Sequence, residues 1–327
     1  MIVSYDTIKM KPPYDLTPTI LKYIASISEK IGAVNAAHLE RPTTELRKKN
    51  RIKTIQSSLE IEGNTLSTEQ ITALMDNKRV LAPQKDILEV QNAIITYNQL
   101  NNLKHTSFTS LCKAHKLLMT GLVERAGKLR TKSVGIVKGN KLAHAAPPHN
   151  MLKALLNDLF DYLKKDGELL LIKSCVFHYE YEFIHPFMDG NGRMGRLWQT
   201  LILKEHSAVF EFLPIELIIK QKQKEYYHAL SLSDKQGKST PFIEFMLGVI
   251  NEALEDVLKT QNKTLSSEDR INLFKEQIKS KHFSRQDYLR TFKEISSATA
   301  SRDLKQAFEL GLLKKTGDKN KTKYWFK

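Results

Sequence analysis

A twelve-residue stretch from His185 to Arg196, HPFMDGNGRMGR, constrains the fold of this chain more than any other segment. The run before it, LLLIKSCVFHYEYEFI, is largely apolar, and Pro186 ends that segment because proline cannot continue a helix. After Gly190-Asn191-Gly192, apolar residues recur at the helical period from Met194 to Ile202. The pattern therefore predicts one helix, a short glycine-rich loop, and a second helix that begins at the glycines.

The chemical groups of this loop are suited to a polyphosphate. Unpaired N–H groups in a helix's first turn, together with the helix dipole, attract anions, and glycine lets a phosphate approach the backbone closely. Arg193 and Arg196 lie three positions apart on that turn, so both can point at one polyanion. Asp189 can reach a Mg²⁺ ion that bridges phosphates, and the imidazole of His185 suits a general base. The sequence therefore predicts a nucleotide-handling site.

Each of these residues also has an ordinary structural interpretation. A histidine at a helix end commonly caps the helix or faces solvent, an Asp-Gly pair commonly turns the chain, and arginine pairs on helices are commonly solvated. Taken together, however, the stretch resembles the signature of the Fic family, HPFx[D/E]GNGRxxR, at every defined position. The resemblance covers roughly residues 10–258 and implies a mainly α fold, a Fic-type helical bundle with a β-hairpin flap. The activity that it implies is transfer of AMP from ATP to a protein hydroxyl.

The same resemblance implies a role for each residue of the signature. His185 is expected to deprotonate the target hydroxyl, and Asp189 to hold Mg²⁺. The turn at Gly190–Gly192 is expected to bind the α- and β-phosphates, while the two arginines hold the β- and γ-phosphates. Tyr227 lies where many Fic proteins contact the adenine or ribose, although an aromatic pair such as Tyr226-Tyr227 is also typical of a helical core. The expected ATP site comprises Gly190, Asn191, Gly192, Arg193, Met194, Gly195, Arg196, Glu62 and Tyr227.

A second motif, SSLEIEGN, lies well ahead of the signature. Its Ser58, Glu62 and Gly63 resemble the inhibitory motif [S/T]xxxE[G/N] of Fic proteins that carry an N-terminal inhibitory helix. If this helix packs beside the anion site, Glu62 can pair with Arg196 and remove the partner of the γ-phosphate. Ser58, one turn earlier, is expected to support Glu62 through a hydrogen bond. Without the downstream signature, the same letters describe a helix with a glycine C-cap.

Residues 128–148 are the one region of the first 260 positions that favours strands. β-Branched residues alternate there, with Gly139-Asn140 as a turn, which predicts a short hairpin. In the Fic resemblance this hairpin is the flap that docks an extended segment of the target protein, through Val134, Gly135, Ile136 and Val137. A hairpin that only covers the core fits the sequence equally well.

The composition changes near Thr260. We expect an N-terminal helical region (1–105) that carries the inhibitory motif, a Fic catalytic core (106–259) and a C-terminal winged-helix domain (260–327). Residues 271–327 contain 14 Lys or Arg and 6 Asp or Glu, a net charge of +8, which is more than half of the chain's +15. That excess favours DNA as a partner, although winged helices also bind proteins.

Bulk properties and the residues of the site narrow the function further. No apolar run approaches the roughly 18 residues of a membrane span, so we expect a cytoplasmic protein with no membrane partner. Cys112 and Cys175 lie in apolar helical runs and are expected to be free thiols. Besides a protein adenylyltransferase, the sequence admits an ATP-sensing DNA-binding regulator or an enzyme that removes AMP. Phosphocholine transfer also stays open, whereas a Doc-type kinase is less consistent with GNGR. Whether the chain forms a homodimer is left open.

Overall fold

The computed structural model describes residues 12–36, 44–132, 134–138, 141–165, 167–261, 267–278, 282–292, 295–317 and 322–326. The chain divides into two compact units. One comprises residues 1–41 and 48–257, and the other comprises residues 42–47 and 258–327. In the part that the structure describes, no helix combines the length and the apolar character needed to cross a bilayer.

The first unit is built almost entirely from helices. They are α1 (Pro18–Ala36), α2 (Thr44–Ile61), α3 (Thr68–Met75), α4 (Gln84–Asn98), α5 (Phe108–Met119), α6 (Leu152–Lys164), α7 (Leu170–Ile184), α8 (Asn191–His206), α9 (Ile215–Gln221), α10 (Gln223–Gln236) and α11 (Thr240–Gln261). Short 3₁₀ turns occupy Leu100–Asn102, His149–Met151 and Ala208–Glu211.

Helices α7 and α8 form the centre of this unit. Helix α7 is apolar on nearly every side, as the sequence suggested, and nearly all of its side chains are buried. Trp198 on α8 is fully buried, and its ring centroid lies 6.2 Å from that of Phe160 on α6 and 6.4 Å from that of Phe177 on α7. Because buried aromatic side chains contribute the largest apolar areas, this cluster fixes the two helices that carry the loop between them.

A two-stranded antiparallel hairpin interrupts the helices where the sequence predicted strands. Strand β1 (Gly135–Lys138) pairs with β2 (Lys141–Ala145), and the register shifts between Ile136 and Val137. The predicted turn at Gly139-Asn140 lies outside the described residues. Both strands are short, so the hairpin is a small part of a unit that is otherwise helical.

In the described residues after α11, the second unit forms three helices and a second hairpin. Helices α12 (Ser267–Gln277), α13 (Arg285–Thr291) and α14 (Ser297–Glu309) precede strands β3 (Leu313–Thr316) and β4 (Lys323–Phe326), which pair antiparallel. Its core is a cluster of buried apolar side chains, namely Ile271, Phe274, Phe283, Tyr288, Ala300, Leu304, Ala307 and Leu313.

Two further contacts close this unit. Phe283 and Tyr324 exchange both backbone hydrogen bonds, at 2.9 and 2.8 Å, so residue 283 extends the hairpin by one bridge. Arg270 on α12 forms a two-pronged ion pair with Asp303 on α14, from Nε to Oδ2 at 2.6 Å and from Nη2 to Oδ1 at 2.8 Å. The Tyr288 hydroxyl donates to the same carboxylate at 3.1 Å. The three side chains therefore tie α12, α13 and α14 together.

Candidate active site

The loop between α7 and α8 begins at His185, which is the C-cap of α7 and has left-handed backbone angles (φ 49°, ψ 60°). Its N–H still donates to the carbonyl of Tyr181 at 3.0 Å. A non-glycine residue adopts this conformation at a cost of about 1 kcal/mol or more, and such residues cluster at functional sites. This left-handed residue ends α7 and starts the loop that leads to α8.

The glycine-rich turn opens α8 as the sequence predicted. Gly190 is the N-cap, with φ 82°, and the N–H of Met194 donates to its carbonyl at 3.0 Å. The N–H groups of residues 191–193 precede that first intrahelical bond, so they have no acceptor within the helix. Such N–H groups at the start of a helix are suited to an anion.

Asn191 closes the loop with its side chain. Its Oδ1 accepts a hydrogen bond from the N–H of Phe187 at 3.0 Å, and its Nδ2 donates to the carbonyl of Phe187 at 2.9 Å. The amide group is buried and engaged at both ends. A phosphate would therefore meet the backbone of Asn191, and the side chain of this residue holds the loop in shape.

His115 on α5 supports the same loop from below. Its ring stacks on Phe187, with 3.6 Å between centroids and 10° between planes. The N–H of Gly127 donates to Nδ1 at 2.8 Å, which leaves the proton on Nε2 to be donated to the carbonyl of Asp189 at 2.9 Å. Burial lowers the pKa of His115 to about 4. The neutral, buried ring therefore supports the backbone of Asp189 in a fixed position.

Arg130 joins the start of the loop to the chain that leads into the hairpin. Its guanidinium donates to the carbonyls of His185 (2.8 Å) and Ile184 (3.3 Å), and also to those of Lys132 and Pro147. Carbonyl groups at the end of a helix lack N–H donors within it, and a cation satisfies them well. Arg130 therefore fixes the end of α7 from which His185 projects.

Arg196 lies on the face of α8 that meets α2. Its Nη2 donates to Glu62 Oε1 at 2.7 Å and to the carbonyl of Ser58 at 2.9 Å, and its Nε donates to Ser58 Oγ at 3.1 Å. The sequence assigned the Ser58 hydroxyl to Glu62, whereas here it accepts from Arg196. Burial lowers the pKa of Arg196, but the charge and hydrogen bond of Glu62, together with the charges of Tyr226 and Glu182, outweigh that effect, so the pKa is raised.

The end of α2 presents Glu62 to this arginine. Gly63 has φ 94°, and the N–H of Asn64 reaches back to the carbonyl of Leu59 at 3.1 Å, as in a Schellman cap. Glu62 is thus the C-cap residue directly after α2, and its side chain is 31% exposed. The local structure is the glycine-capped helix that the letters describe, and its final carboxylate faces the anion site.

Arg193 has two carboxylate partners. Its Nη1 lies 3.1 Å from Glu89 Oε1 on α4, and its Nη2 lies 3.2 Å from Asp189 Oδ1. Its own side chain is only 5% exposed, and that of Glu89 only 7%, whereas that of Asp189 is 57% exposed. The two motif arginines are therefore matched by one carboxylate from α2, one from α4 and one from the loop itself.

Two glycines of α8 are required by close neighbours. A Cβ atom at Gly192 would lie 2.6 Å from Glu62 Oε1, and one at Gly195 would lie 2.6 Å from Glu182 Oε1. A side chain at Gly192 would require the carboxylate of Glu62 to move, and one at Gly195 would require both Glu182 and the buried ring of His178, 2.9 Å away, to move. The absence of side chains here lets α2 and α7 approach the helix that carries the arginines.

A buried polar layer lies behind Arg196. His178 donates from Nδ1 to Gln199 Oε1 at 2.7 Å and accepts from the Tyr226 hydroxyl at 3.1 Å, and burial lowers its pKa to about 3. Tyr226 is therefore a core residue. Tyr227 is 40% exposed, with its ring 5.3 Å from that of Tyr226, so of the two it is the one that a ligand can reach.

The expected docking residues lie on or beside β1. Gly135, Ile136 and Val137 are in the strand, and Val134 immediately precedes it. Gly135, Ile136 and Val137 each have a backbone partner on β2.

Sequence reasoning did not identify Glu89 or Arg130. Glu89 falls at helical spacing with Ala93 and Tyr97, which α4 buries, so a lone acid on that stripe was a usable signal. Arg130 stands in a generally basic segment, and nothing in the letters distinguishes it from its neighbours.

Comparisons with known proteins agree with this geometry. The Fic/DOC family model matches residues 105–203. The chain is 26% identical over 263 residues to protein adenylyltransferase fic-1 of Caenorhabditis briggsae, covering 74% of this chain and 49% of that protein. It is 28% identical over 246 residues to protein adenylyltransferase Fic of Nematostella vectensis, covering 71% and 54%. The chain thus spans about half the length of the curated relatives it matches.

Solved structures resemble the chain more completely. A Fic family protein from Desulfovibrio desulfuricans G20 shares 39% of its residues, covers 97% of this chain and 98% of its own, and gives a TM-score of 0.75. Fic-1 (residues 134–508) from C. elegans shares 20%, covers 74% of this chain and 73% of its own, and gives a TM-score of 0.63, a likeness of fold alone. The helical bundle with its small hairpin is thus confirmed as the fold of the first unit.

Proposed function

The chain belongs to the Fic family, and on that premise we propose that it is a protein adenylyltransferase. It moves AMP from ATP to the hydroxyl group of a Tyr, Ser or Thr side chain, on a target protein and on itself. The observation that carries the proposal is that one short loop joins His185, at the end of α7, to the open N-terminus of α8 and its two buried arginines. The relatives from C. briggsae and N. vectensis are both named protein adenylyltransferases, which supports the proposal.

His185 acts as the general base in this proposal. It takes the proton of the target hydroxyl while the hydroxyl oxygen attacks the α-phosphorus of ATP. The bond between the α-phosphorus and the oxygen that bridges to the β-phosphate breaks, and pyrophosphate leaves with the electron pair. The N–H groups at the start of α8 hold the phosphates, and Arg193 and Arg196 hold the terminal ones. Arg130 and His115 hold the loop between α7 and α8 in a fixed position for this step.

Mg²⁺ fits the site through Asp189. Magnesium is commonly held by one or two protein carboxylates together with phosphate oxygens and water, and the carboxylate of Asp189 is exposed beside the anion end of α8. Among the described residues, no group of three or more His, Cys, Asp or Glu side chains could hold a metal by itself. When bound, the ion would neutralise phosphate charge.

Glu62 restrains the enzyme in the same proposal. Its ion pair with Arg196 occupies the guanidinium that a terminal phosphate would use, and its charge repels that phosphate. A hydrogen bond to a charged group contributes about 1.5–3 kcal/mol, so removal of this competitor is expected to raise activity about 10- to 100-fold. The contact at 2.7 Å supports this interpretation.

The second unit is proposed to be a winged-helix domain that contacts DNA. The order of three helices and a terminal hairpin, with the bridge between Phe283 and Tyr324, supports the winged-helix assignment. Arg302 and Lys305 are exposed on α14, the proposed recognition helix, and the net charge of +8 in residues 271–327 favours a polyanion.

The free thiols Cys112 and Cys175 support a reducing compartment such as the cytoplasm.

The test of the transferase uses ATP labelled on either the α- or the γ-phosphate, with Mg²⁺. Four proteins are compared, namely the wild type, Glu62→Gly, Glu62→Gly/His185→Ala, and Glu60→Gly as a matched control. Glu60 lies on the same helix turn but pairs with Lys220, at 3.1 Å, so its loss should leave transfer at the wild-type level. We expect label from the α-phosphate alone, strongest in Glu62→Gly and absent from the double variant.

Other outcomes would contradict the proposal in distinct ways. Label from the γ-phosphate would identify a kinase. Transfer that survives in the double variant would exclude His185 as the essential base. Equal label in Glu62→Gly and wild type would remove the inhibitory role of Glu62 while leaving the transferase in place. No label from any protein would favour an ATP-sensing regulator.

A further inference from the structure

Glu89 is a buried carboxylate in α4 that belongs to neither motif. Its Oε1 lies 3.1 Å from Nη1 of Arg193, which is 104 positions away in the chain. We propose that Glu89 is a positioning residue for Arg193, which it aims at the terminal phosphates of ATP and holds there whether or not Glu62 is engaged. This inference rests on the proposed function, because it assigns Arg193 to those phosphates.

The burial of Arg193 requires a permanent counter-charge. A guanidinium that is only 5% exposed is costly unless it is paired and hydrogen-bonded. Asp189 is the other partner, at 3.2 Å, but its side chain is 57% exposed and is the proposed ligand of the metal ion. Once Asp189 turns to a cation, Glu89 is the carboxylate that stays with Arg193. The inner partner therefore sets the direction in which the fork points.

Glu89 is itself held from the opposite side. Its Oε2 accepts a hydrogen bond from Asn64 Nδ2 at 2.8 Å. Asn64 also donates to the carbonyl of Asp86 at 3.1 Å and accepts from the N–H of Leu66 at 3.1 Å. The carboxylate is thus clamped between Arg193 and the chain that follows the inhibitory helix. A clamped carboxylate can orient a guanidinium, whereas a mobile one would only neutralise it.

The geometry favours positioning over competition with the phosphate. Arginine carries five N–H donors in a planar fork, and Arg193 gives Glu89 only one close contact. Glu89 is 7% exposed, so it approaches the arginine from the interior, whereas Nη2 of Arg193 faces the exposed carboxylate of Asp189. Glu62 differs, because it is 31% exposed and pairs with Arg196 from the open side. Removal of the two carboxylates should therefore have opposite effects on ATP binding.

The experiment measures the affinity of ATP and of AMP by calorimetry, with Mg²⁺, in a Glu62→Gly background. Glu89→Gln keeps the shape of the side chain and removes its charge. We expect it to raise the Kd for ATP about tenfold, because a charge-assisted contact is lost. The Kd for AMP should change by less than about twofold, since AMP lacks the phosphates that Arg193 holds.

Asp86→Asn is the matched control. Asp86 lies on the same helix as Glu89 and accepts hydrogen bonds from the N–H of Thr65 at 3.0 Å and from its hydroxyl at 2.6 Å. The change therefore loosens the same junction between α4 and the segment after α2 without touching Arg193. It should leave the ratio of the two affinities unchanged.

A mutant cycle separates positioning from a general loss of structure. If Glu89 acts through Arg193, Glu89→Gln should have no further effect on ATP affinity once Arg193→Gln is present. If Glu89→Gln fails to fold, as judged by circular dichroism, Glu89→Asp replaces it, because that change keeps the charge and withdraws it by one methylene.

Several results would overturn the inference. These are an unchanged ratio of ATP to AMP affinity, additive effects in the cycle, or tighter ATP binding in Glu89→Gln, which would make Glu89 a second competitor. Absence of AMP transfer in Glu62→Gly would instead reject the proposed function, and the binding ratio would still report on Arg193.

Discussion

His115 offers the sharpest test of how the nucleotide loop is held. We consider His115→Phe, which keeps a ring to stack on Phe187 and removes both hydrogen bonds of the imidazole. The N–H of Gly127 and the carbonyl of Asp189 then lose partners at 2.8 and 2.9 Å. An unsatisfied buried polar group costs about 1–3 kcal/mol, so the free energy of unfolding should fall by about 3 kcal/mol at neutral pH.

The pH dependence identifies the cause. In the folded protein, burial lowers the pKa of His115 from its usual 6.5 to about 4. Between those values the unfolded chain binds a proton that the folded chain does not, so the wild type loses stability as the pH falls. The loss attributable to this group reaches about 3 kcal/mol near pH 4, at 1.36 kcal/mol per unit. Phenylalanine has no proton to bind, so the gap between variant and wild type should narrow from pH 6.5 to pH 4.

The assay is urea unfolding followed by the fluorescence of Trp198, in a Trp325→Phe background so that only the first unit reports. His228→Phe is the control, because His228 is exposed on α10 and should leave the curves unchanged. AMP transfer should fall about tenfold or more in His115→Phe, since a loop that carries Asp189 tolerates little displacement. A gap that stays constant with pH, together with full transfer, would refute the supporting role assigned to His115.

Two further predictions concern α8 and the second unit. Gly195→Ala should destabilise the first unit by about 1–3 kcal/mol and abolish transfer, because its Cβ would lie 2.6 Å from Glu182 Oε1 and 2.9 Å from the ring of His178. Gly32→Ala, whose Cβ has no neighbour within 4 Å, should leave activity unchanged in the same denaturation and transfer assays. Binding of duplex DNA, measured by anisotropy, should weaken steeply with salt and should weaken further in Arg302→Ala. A salt-independent affinity would contradict the proposed DNA contact.

The residues that sequence reasoning found are those whose chemistry is contiguous in the chain. The stretch from His185 to Arg196 brings its base, acid and arginines together by local geometry alone, and α7 and α8 formed at either side of it as the apolar pattern predicted. The ion pair of Glu62 with Arg196 spans 134 positions, and only the family resemblance could suggest it. Periodicity gives the face of a helix but not the element that meets that face.

The other features of the site depend on contacts between residues that are far apart in the chain, and a single sequence does not reveal such contacts. The place of Glu89 on the buried stripe of α4 marks it as unusual, but nothing in the spacing identifies its partner Arg193, 104 positions away. In the Tyr226-Tyr227 pair, spacing alone could not decide which ring enters the core, and the bond from Tyr226 to His178 decides it. Ser58 was predicted to bond Glu62, but its hydroxyl accepts a hydrogen bond from Arg196 instead. A buried guanidinium has several donors that need acceptors, whereas water can hydrogen-bond to a partly exposed carboxylate.

The charged side chains around the loop link three parts of the proposed function, namely inhibition by Glu62, binding of Mg²⁺ and binding of ATP. Arg193 and Arg196 supply two positive charges, while Glu62, Glu89 and Asp189 supply three negative ones, so these five side chains carry a formal charge of −1, which Lys85 beside Glu89 offsets. A site without net positive charge attracts a polyphosphate only weakly. Withdrawal of Glu62 removes one negative charge and a bound Mg²⁺ ion would add two positive ones, so together they would shift the formal charge of the site by +3 with Glu89 still paired. Under the proposed function, the fixed carboxylate is the one that aims an arginine, and the two exposed carboxylates are those whose release would admit ATP.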